Sequence, residues 1–387
     1  MKNIIIFVIP GLARVISSAT PLLALLIFSK LLSTEEIGLV SYFIAIITLL
    51  GILTDFGMSE GVQKFLSKTK SPKLVFTSLV LEFILCFIGA VIFLIIDLIT
   101  GNTLSRGYPW LLFFIIIFSA SNVVLLIFNG LAKNVRLTTY FLTSSLAFLF
   151  ITFLLYFTGT SDAVTSFLLG RLISWIIFTI VPILDLYFNK LIEFKIELPK
   201  GFLKFIFNNM IVDISYSLFN QWDAILIINT LGSFQNGIYK SVAFIASLPY
   251  SLSVVLQTKL LPEYSALIHR GEYEKVKLSF HKFNKLLVIL VLLSIIVGIV
   301  FSKFALSVFY TDEISNLGFQ YFTPILLAVM LLVSAVPSIC VLLAIHKEHI
   351  VRNMSIFQAV SFVLISSALI YPVGLVALPI SLIFLNS

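Results

Sequence analysis

The chain has 387 residues, of which 60% are hydrophobic and 11% charged. A soluble domain carries about 25% charged residues, so the composition excludes one and indicates a polytopic membrane protein. The formal net charge of +7 would suggest nucleic acid in a soluble chain; here it reads as loop charge that orients the helices in the bilayer, and no nucleic-acid partner is expected.

A membrane-spanning helix needs roughly 20 apolar residues. Apolar runs, split at charged or Gly/Pro-rich breaks, predict about twelve spans, beginning with residues 4–31, 37–57, 74–98, 109–131, 138–159 and 163–188. The second group covers 203–231, 235–260, 284–309, 317–345, 354–371 and a short last span at 373–385. The first run lacks an A-x-A cleavage pattern and is expected to remain as a helix. No break is large enough for a soluble domain, and the longest, 58–73, 189–202 and 261–283, are basic. In the last of these Tyr264, Leu267 and Ile268 share one side of a short helical stretch before Gly271, which predicts an amphipathic helix lying on the membrane surface. With the N-terminus inside, Lys30, Arg106 and Lys303 are the loop cations left on the outer side, which collects Glu35, Glu36, Asp97, Asp162, Asp312 and Glu313. The positive-inside rule is satisfied, predicting a multi-pass protein of the cell (cytoplasmic) membrane with both termini cytoplasmic.

Sliding the chain so that Gly38-Leu39 falls on Gly237-Ile238 also puts Lys64-Phe65 on Glu263-Tyr264, and the first three spans on the seventh to ninth. An even number of helices between the copies makes this a parallel repeat. The expected fold is therefore all-α, with six-helix bundles at 1–190 and 203–387 joined by a cytoplasmic linker at 191–202. The same offset sets Arg14 opposite Asp213.

No G-x-x-x-x-G-K-[ST] or G-x-G-x-x-G occurs, so the chain has no phosphate-cradling loop with which to hydrolyse ATP. Energy is expected from a gradient, with H+ or Na+ as the coupling ion and no other cofactor. His346 and His349 lie in a loop beside Lys347 and Arg352 and are not expected to bind metal, and Cys86 and Cys340 lie in apolar runs as buried thiols.

The intramembrane polar residues carry the functional signal. Arg14, Arg171 and Lys240 each sit inside an apolar span, at a cost of at least about 2.5–3.5 kcal/mol unless they face protein or water. Together they suggest a path for an anionic substrate. Pro10 and Pro21 break the span that holds Arg14, which marks it as cavity-lining. The competing roles are a salt bridge to Asp213 for Arg14, and anchoring at the outer interface for Arg171 and Lys240. On the seventh span Asn209, Asp213, Tyr216, Asn220 and Asp223 follow helical periodicity and share one face, a polar stripe unsuited to lipid. Asp55 ends the second span, where it can cap or meet Lys64. Glu82, with no cation in its own segment, is expected to sit in the third span as the neutral acid. Asp213, Asp223 and Glu82 are the candidates for ion coupling.

Residues 31–68, LLSTEEIGLVSYFIAIITLLGILTDFGMSEGVQKFLSK, and 220–267, with the Gly237-Ile238-Tyr239 turn and the Leu261-Pro262-Glu263 exit, carry a resemblance. The chain resembles the polysaccharide flippases, the O-antigen and teichoic-acid type translocases of the multidrug/oligosaccharidyl-lipid/polysaccharide exporter superfamily. The resemblance implies two six-helix bundles forming a V around a central cavity, and alternating access that flips a polyprenyl-diphosphate-linked oligosaccharide to the outer leaflet. It further implies a transporter rather than an enzyme, and association with a glycan polymerase or glycosyltransferases. On that reading Arg14 and Arg171 attract the diphosphate, Lys240 lies along the outer exit, and the polar face of the seventh span meets sugar hydroxyls. The alternatives are a cation-coupled multidrug exporter of the same superfamily and, in a different class, a membrane polysaccharide polymerase or glycosyltransferase, which the short outer loops disfavour.

Overall fold

The computed structural model of the protein describes residues 30–100, 111–159, 161–345 and 347–386, and these are helical apart from short connections. The first predicted span and Arg14 lie outside the described residues, as does His346. The other eleven predicted spans all fall on helices. In chain order these begin with α1 (Thr34–Asp55), α2 (Met58–Thr69), α3 (Pro72–Thr100), α4 (Leu111–Gly130), α5 (Asn134–Phe157), α6 (Ala163–Phe188) and α7 (Phe202–Thr230). They continue with α8 (Ser233–Ala246), α9 (Ser251–His269), α10 (Tyr273–Phe309), α11 (Asp312–Ser334), α12 (Val336–Ala344), α13 (Glu348–Val373) and α14 (Ala377–Asn386). The protein is an all-α membrane protein: among the described residues eight helical stretches are long and apolar enough to cross a bilayer. Helix α7 is not among them because of the polar stripe it carries.

Local sequence explains the boundaries. Ser33 and Glu36 form a reciprocal capping box at the start of α1, with Ser33 N donating to Glu36 Oε2 at 2.7 Å and Glu36 N to Ser33 Oγ at 3.2 Å. Asp162 caps α6 by accepting from Thr165 N at 3.2 Å. The predicted eighth span is divided by a 3-10 turn over Leu248–Tyr250, where Pro249 supplies no N–H. The tenth is divided at Ala335, with Pro337 in the first turn of α12.

Two expectations are corrected. The basic break at 58–73 contains α2, whose Met58, Val62 and Leu66 sit one turn apart and are fully buried. The stretch holding Tyr264, Leu267 and Ile268 is the end of α9 rather than a separate surface helix. Tyr264 has 0% exposure and packs with Leu260, Val276, Val336, Cys340 and Ala344, so its apolar side is covered by protein. Gly271, at φ 74°, then turns the chain into α10.

The chain divides into two compact units, one of residues 43–217 and one of residues 30–42 with 218–386. The first packs α2 against Leu74, Val123, Ile127, Phe128, Phe202 and Ile206. Helices α5 and α6 are tied by a two-bonded ion pair from Arg136 Nη1 to Asp185, at 2.8 and 2.9 Å. Phe56 and Gly57, both in left-handed conformation (φ 54° and 72°), reverse the chain between α1 and α2. At Gly57 a Cβ would meet the α7 backbone at Ile206 O and Met210 N, so the glycine permits contact as well as the turn.

In the second unit Gly38 and Gly237 allow two backbones to touch, as small residues do between helices in lipid. A Cβ on Gly38 would meet Ser233 O and Gly237 N, while one on Gly237 would meet Thr34 O and Gly38 N. The offset that superposes Gly38 on Gly237 superposes Thr34 on Ser233. The contact is thus reciprocal between repeat-equivalent positions, as a two-fold relation requires. Asn236 Nδ2 donates to Gly38 O at 2.7 Å and Thr34 Oγ1 to Glu313 Oε2 at 2.5 Å, fixing the crossing.

Candidate functional site

In the first unit α4, α5 and α6 surround a cavity of about 160 Å3 lined by Phe118, Ser121, Asn122, Leu125, Phe141, Ser144, Ser145, Arg171, Trp175 and Phe178. The Arg171 guanidinium lies 4.7 Å from the Trp175 ring centroid and 5.4 Å from that of Phe148. Cation–π contacts of this kind hold a guanidinium in place while leaving its in-plane N–H donors open. Trp175 is one turn beyond Arg171 on α6 and is itself packed at 4.8 Å against Phe118 and 5.2 Å against Phe114. Arg171 makes no salt bridge among the described residues. The cavity lining contains no carboxylate.

Glu82 is buried on α3. Its Oε1 accepts from the Ser119 hydroxyl and from Cys86 Sγ at 3.2 Å, and its Oε2 is buried without a partner. No cation pairs with it among the described residues, in line with the absence of one in its segment.

Asp213 is partly buried on α7 and joins Asp55 and Glu60, with one carboxylate oxygen of each lying within 4.8 Å of the others. The Phe56-Gly57 reversal produces this grouping by turning Glu60 back toward α7. Asp55 also accepts from Ser59, from its N–H at 3.3 Å and its hydroxyl at 2.5 Å, so it caps α2 rather than pairing with Lys64. Lys64 instead stands 3.7 Å over the Phe205 ring. Three carboxylates in such proximity can share a proton or a small cation.

In the second unit Lys240 Nζ contacts Asp223 Oδ1 at 2.7 Å, with side chains 18% and 14% exposed. The chain reverses between α7 and α8 and brings these residues together, joining a predicted exit cation to the last member of the predicted polar stripe. Of the rest of that stripe, Asn209 packs beside Gly57, Tyr216 is 52% exposed and Asn220 is exposed. The stripe divides between units, with Asn209, Asp213 and Tyr216 in the first and Asn220 and Asp223 in the second. Glu60, Asp55, Phe148 and Trp175 were absent from the sequence-predicted site. Only Trp175 had a local signal, its one-turn spacing from Arg171.

The helical fold has known counterparts. A solved inward-facing multidrug resistance MATE family transporter of the MOP superfamily is 14% identical, with a TM-score of 0.77 over 95% of this chain and 91% of that one. A Pyrococcus furiosus MOP superfamily transporter, described as having a binding pocket of reverse polarity that suggests a different function, is 14% identical, with a TM-score of 0.69 over 100% and 93%. An outward-facing MATE transporter is 17% identical, with a TM-score of 0.65 over 98% and 92%. At these identities the likeness establishes the fold, that of the MOP-superfamily transporters. No curated protein matches the sequence significantly. The model of the polysaccharide biosynthesis protein family matches residues 2–268, and the chain belongs to that family.

Proposed function

We propose that the protein is a flippase that moves a polyprenyl-diphosphate-linked oligosaccharide from the cytoplasmic to the outer leaflet of the cell membrane, by alternating access, for cell-surface polysaccharide biosynthesis. The observation that carries this reading is Arg171: a guanidinium held by two aromatic rings beside a polar cavity, with no carboxylate paired to it among the described residues. A buried cation without a counter-ion is costly, and an anionic substrate is what relieves it. Arg14 is proposed as the second diphosphate-facing cation. Lys240, paired with Asp223, meets substrate by exchanging that partner, and Asn209, Tyr216 and Asn220 serve sugar hydroxyls. Complementation of a flippase-deficient strain tests the reading. Arg171→Gln and Arg14→Gln should abolish glycan export at wild-type membrane levels, and full export by both variants would overturn it.

Ion coupling is proposed at Asp213, supported by its grouping with Asp55 and Glu60. Glu82 and Asp223 are secondary, the first because it is not part of that three-carboxylate grouping, the second because it is committed to Lys240. Substrate-stimulated proton or sodium flux that is unchanged in Asp213→Asn would remove this element while leaving the flippase reading intact. The same acidic grouping favours the second reading, a cation-coupled multidrug exporter. Efflux of cationic dyes, lost in Asp213→Asn but retained in Arg171→Gln, would select it.

A further inference from the structure

The segment joining α6 to α7 carries a surface that the proposed transport path does not use. From Lys190 to Lys200 it reads KLIEFKIELPK, lysines interleaved with apolar residues. Phe194, Ile196 and Leu198 are 69%, 71% and 48% exposed, and Phe188 at the end of α6 is 75% exposed. The segment is nevertheless fastened along the first turns of α3. Glu193 N donates to Pro72 O at 3.2 Å, Glu197 N donates to Thr77 Oγ1 at 2.8 Å, and the Ser71 hydroxyl donates to the Glu197 carboxylate. Phe194 packs edge-on against Phe76, with ring centroids 5.2 Å apart, and also meets Tyr187, which touches Phe188. Helix α3 is apolar enough to cross a bilayer from Pro72 onward, so a ring beside Phe76 lies where that span enters the membrane. Aromatic side chains concentrate at this level, and an exposed apolar side chain there faces lipid.

Charge is sorted in the same way. Glu193 lies 3.9 Å from Lys73 and 3.4 Å from Lys195, and Glu197 is engaged by Ser71. Both carboxylates of the segment are thus occupied by the protein itself. Lys190, Lys195 and Lys200 are exposed, as is Lys204 in the first turn of α7. Lysines at a bilayer surface lay their stems along apolar neighbours and attract anionic headgroups.

We propose that the 190–200 segment is a strap that binds anionic phospholipid, with Phe188, Phe194, Ile196 and Leu198 entering the acyl-chain boundary and Lys190, Lys195 and Lys200 holding the headgroups. Lipid is favoured over a second protein because the rings sit at the level where α3 enters the bilayer, and because the charge left exposed has one sign. The strap shares no residue with the Arg171 cavity, and its test reads lipid contact, so it stands or falls apart from the flippase reading.

The test is fluorescence quenching in the full-length protein, reconstituted into phosphatidylcholine nanodiscs doped with an acyl-chain spin-labelled lipid, either phosphatidylglycerol or phosphatidylcholine. Ile196→Cys carries an environment-sensitive thiol dye; the native Cys86 and Cys340 are 1% and 0% exposed and stay unlabelled. Phe150→Cys, at a site on α5 that is 68% exposed, provides the lipid-facing reference and reports that each preparation is folded and inserted. The dye at position 196 should be quenched about threefold or more strongly by spin-labelled phosphatidylglycerol than by phosphatidylcholine at equal mole fraction, whereas the dye at position 150 should not distinguish them. Adding Lys190→Gln, Lys195→Gln and Lys200→Gln should bring the two lipids to equal quenching at position 196 while leaving position 150 unchanged. Three results overturn the proposal: no quenching by either lipid at position 196, which would place the strap in water or against another chain; equal quenching by both before the lysines are removed; and a phosphatidylglycerol preference that survives their removal.

Discussion

The Lys240–Asp223 pair offers a test that separates a structural bridge from a substrate-facing cation. At 2.7 Å two unit charges attract by about 6 kcal/mol at an effective dielectric constant of ~20. Withdrawing each ion from water costs several kcal/mol, so the intact pair contributes close to nothing net. Removing one partner is different, because it strands the other charge. For fully buried pairs that costs about 3–5 kcal/mol, and the residual exposure of 18% and 14% reduces it to roughly 2–3 kcal/mol. Asp223→Asn and Lys240→Met should each lose that amount in a guanidinium unfolding titration of the purified protein, whereas the double variant should return to within about 1 kcal/mol of wild type. If the losses in the double variant simply sum, the two residues do not act as a pair and the reasoning fails. Export adds a second reading: a stable double variant that no longer exports would show that Lys240 also meets substrate.

Three further outcomes follow from the same structure. Gly38→Ala and Gly237→Ala should each destabilise by about 1–3 kcal/mol, and by similar amounts because the blocked contacts are reciprocal; a thermal unfolding series in which one is neutral would contradict the two-fold relation. Glu82→Gln, which keeps an acceptor for Ser119 and Cys86, should stay within about 1 kcal/mol of wild type, while Glu82→Ala opens a cavity and should cost about 2–4 kcal/mol; the reverse order in a denaturant titration would show that the charge is needed. Asp185→Asn should lower stability by less than about 1 kcal/mol, since Arg136 is well exposed, and a larger loss would mean that the α5–α6 ends depend on the bridge.

The spans were legible because a lipid-facing helix must be apolar for its whole length, whatever it packs against. What escaped was hidden by charge. The basic residues Lys64, Lys68 and Lys70 make 58–73 read as a loop, although Met58, Val62 and Leu66 recur at helical spacing beneath them. Likewise Lys277, Lys282 and Lys285 conceal that α10 begins at Tyr273 and runs unbroken through the predicted start of the ninth span. For the candidate site, Arg171 stood out because an intramembrane arginine is rare, and its Trp175 neighbour lay one turn away. Phe148 comes from another helix and left no trace in the local pattern. Asp55, Glu60 and Asp213 converge only through the left-handed Phe56-Gly57 reversal, a backbone event that composition and periodicity do not register.

The Gly38–Gly237 crossing has the form of an isologous interface written into one polypeptide. In a symmetric dimer one substitution there would alter both sides of the axis at once, and the two flanking positions would have to agree. A single chain escapes that constraint. At one flank stands Asn236, whose amide grips Gly38 O; its repeat equivalent is Ile37, fully buried and without a donor to return the bond to Gly237. The crossing is therefore symmetric in backbone and one-sided in chemistry, so that half of it is latched by a hydrogen bond and the other half held by packing alone.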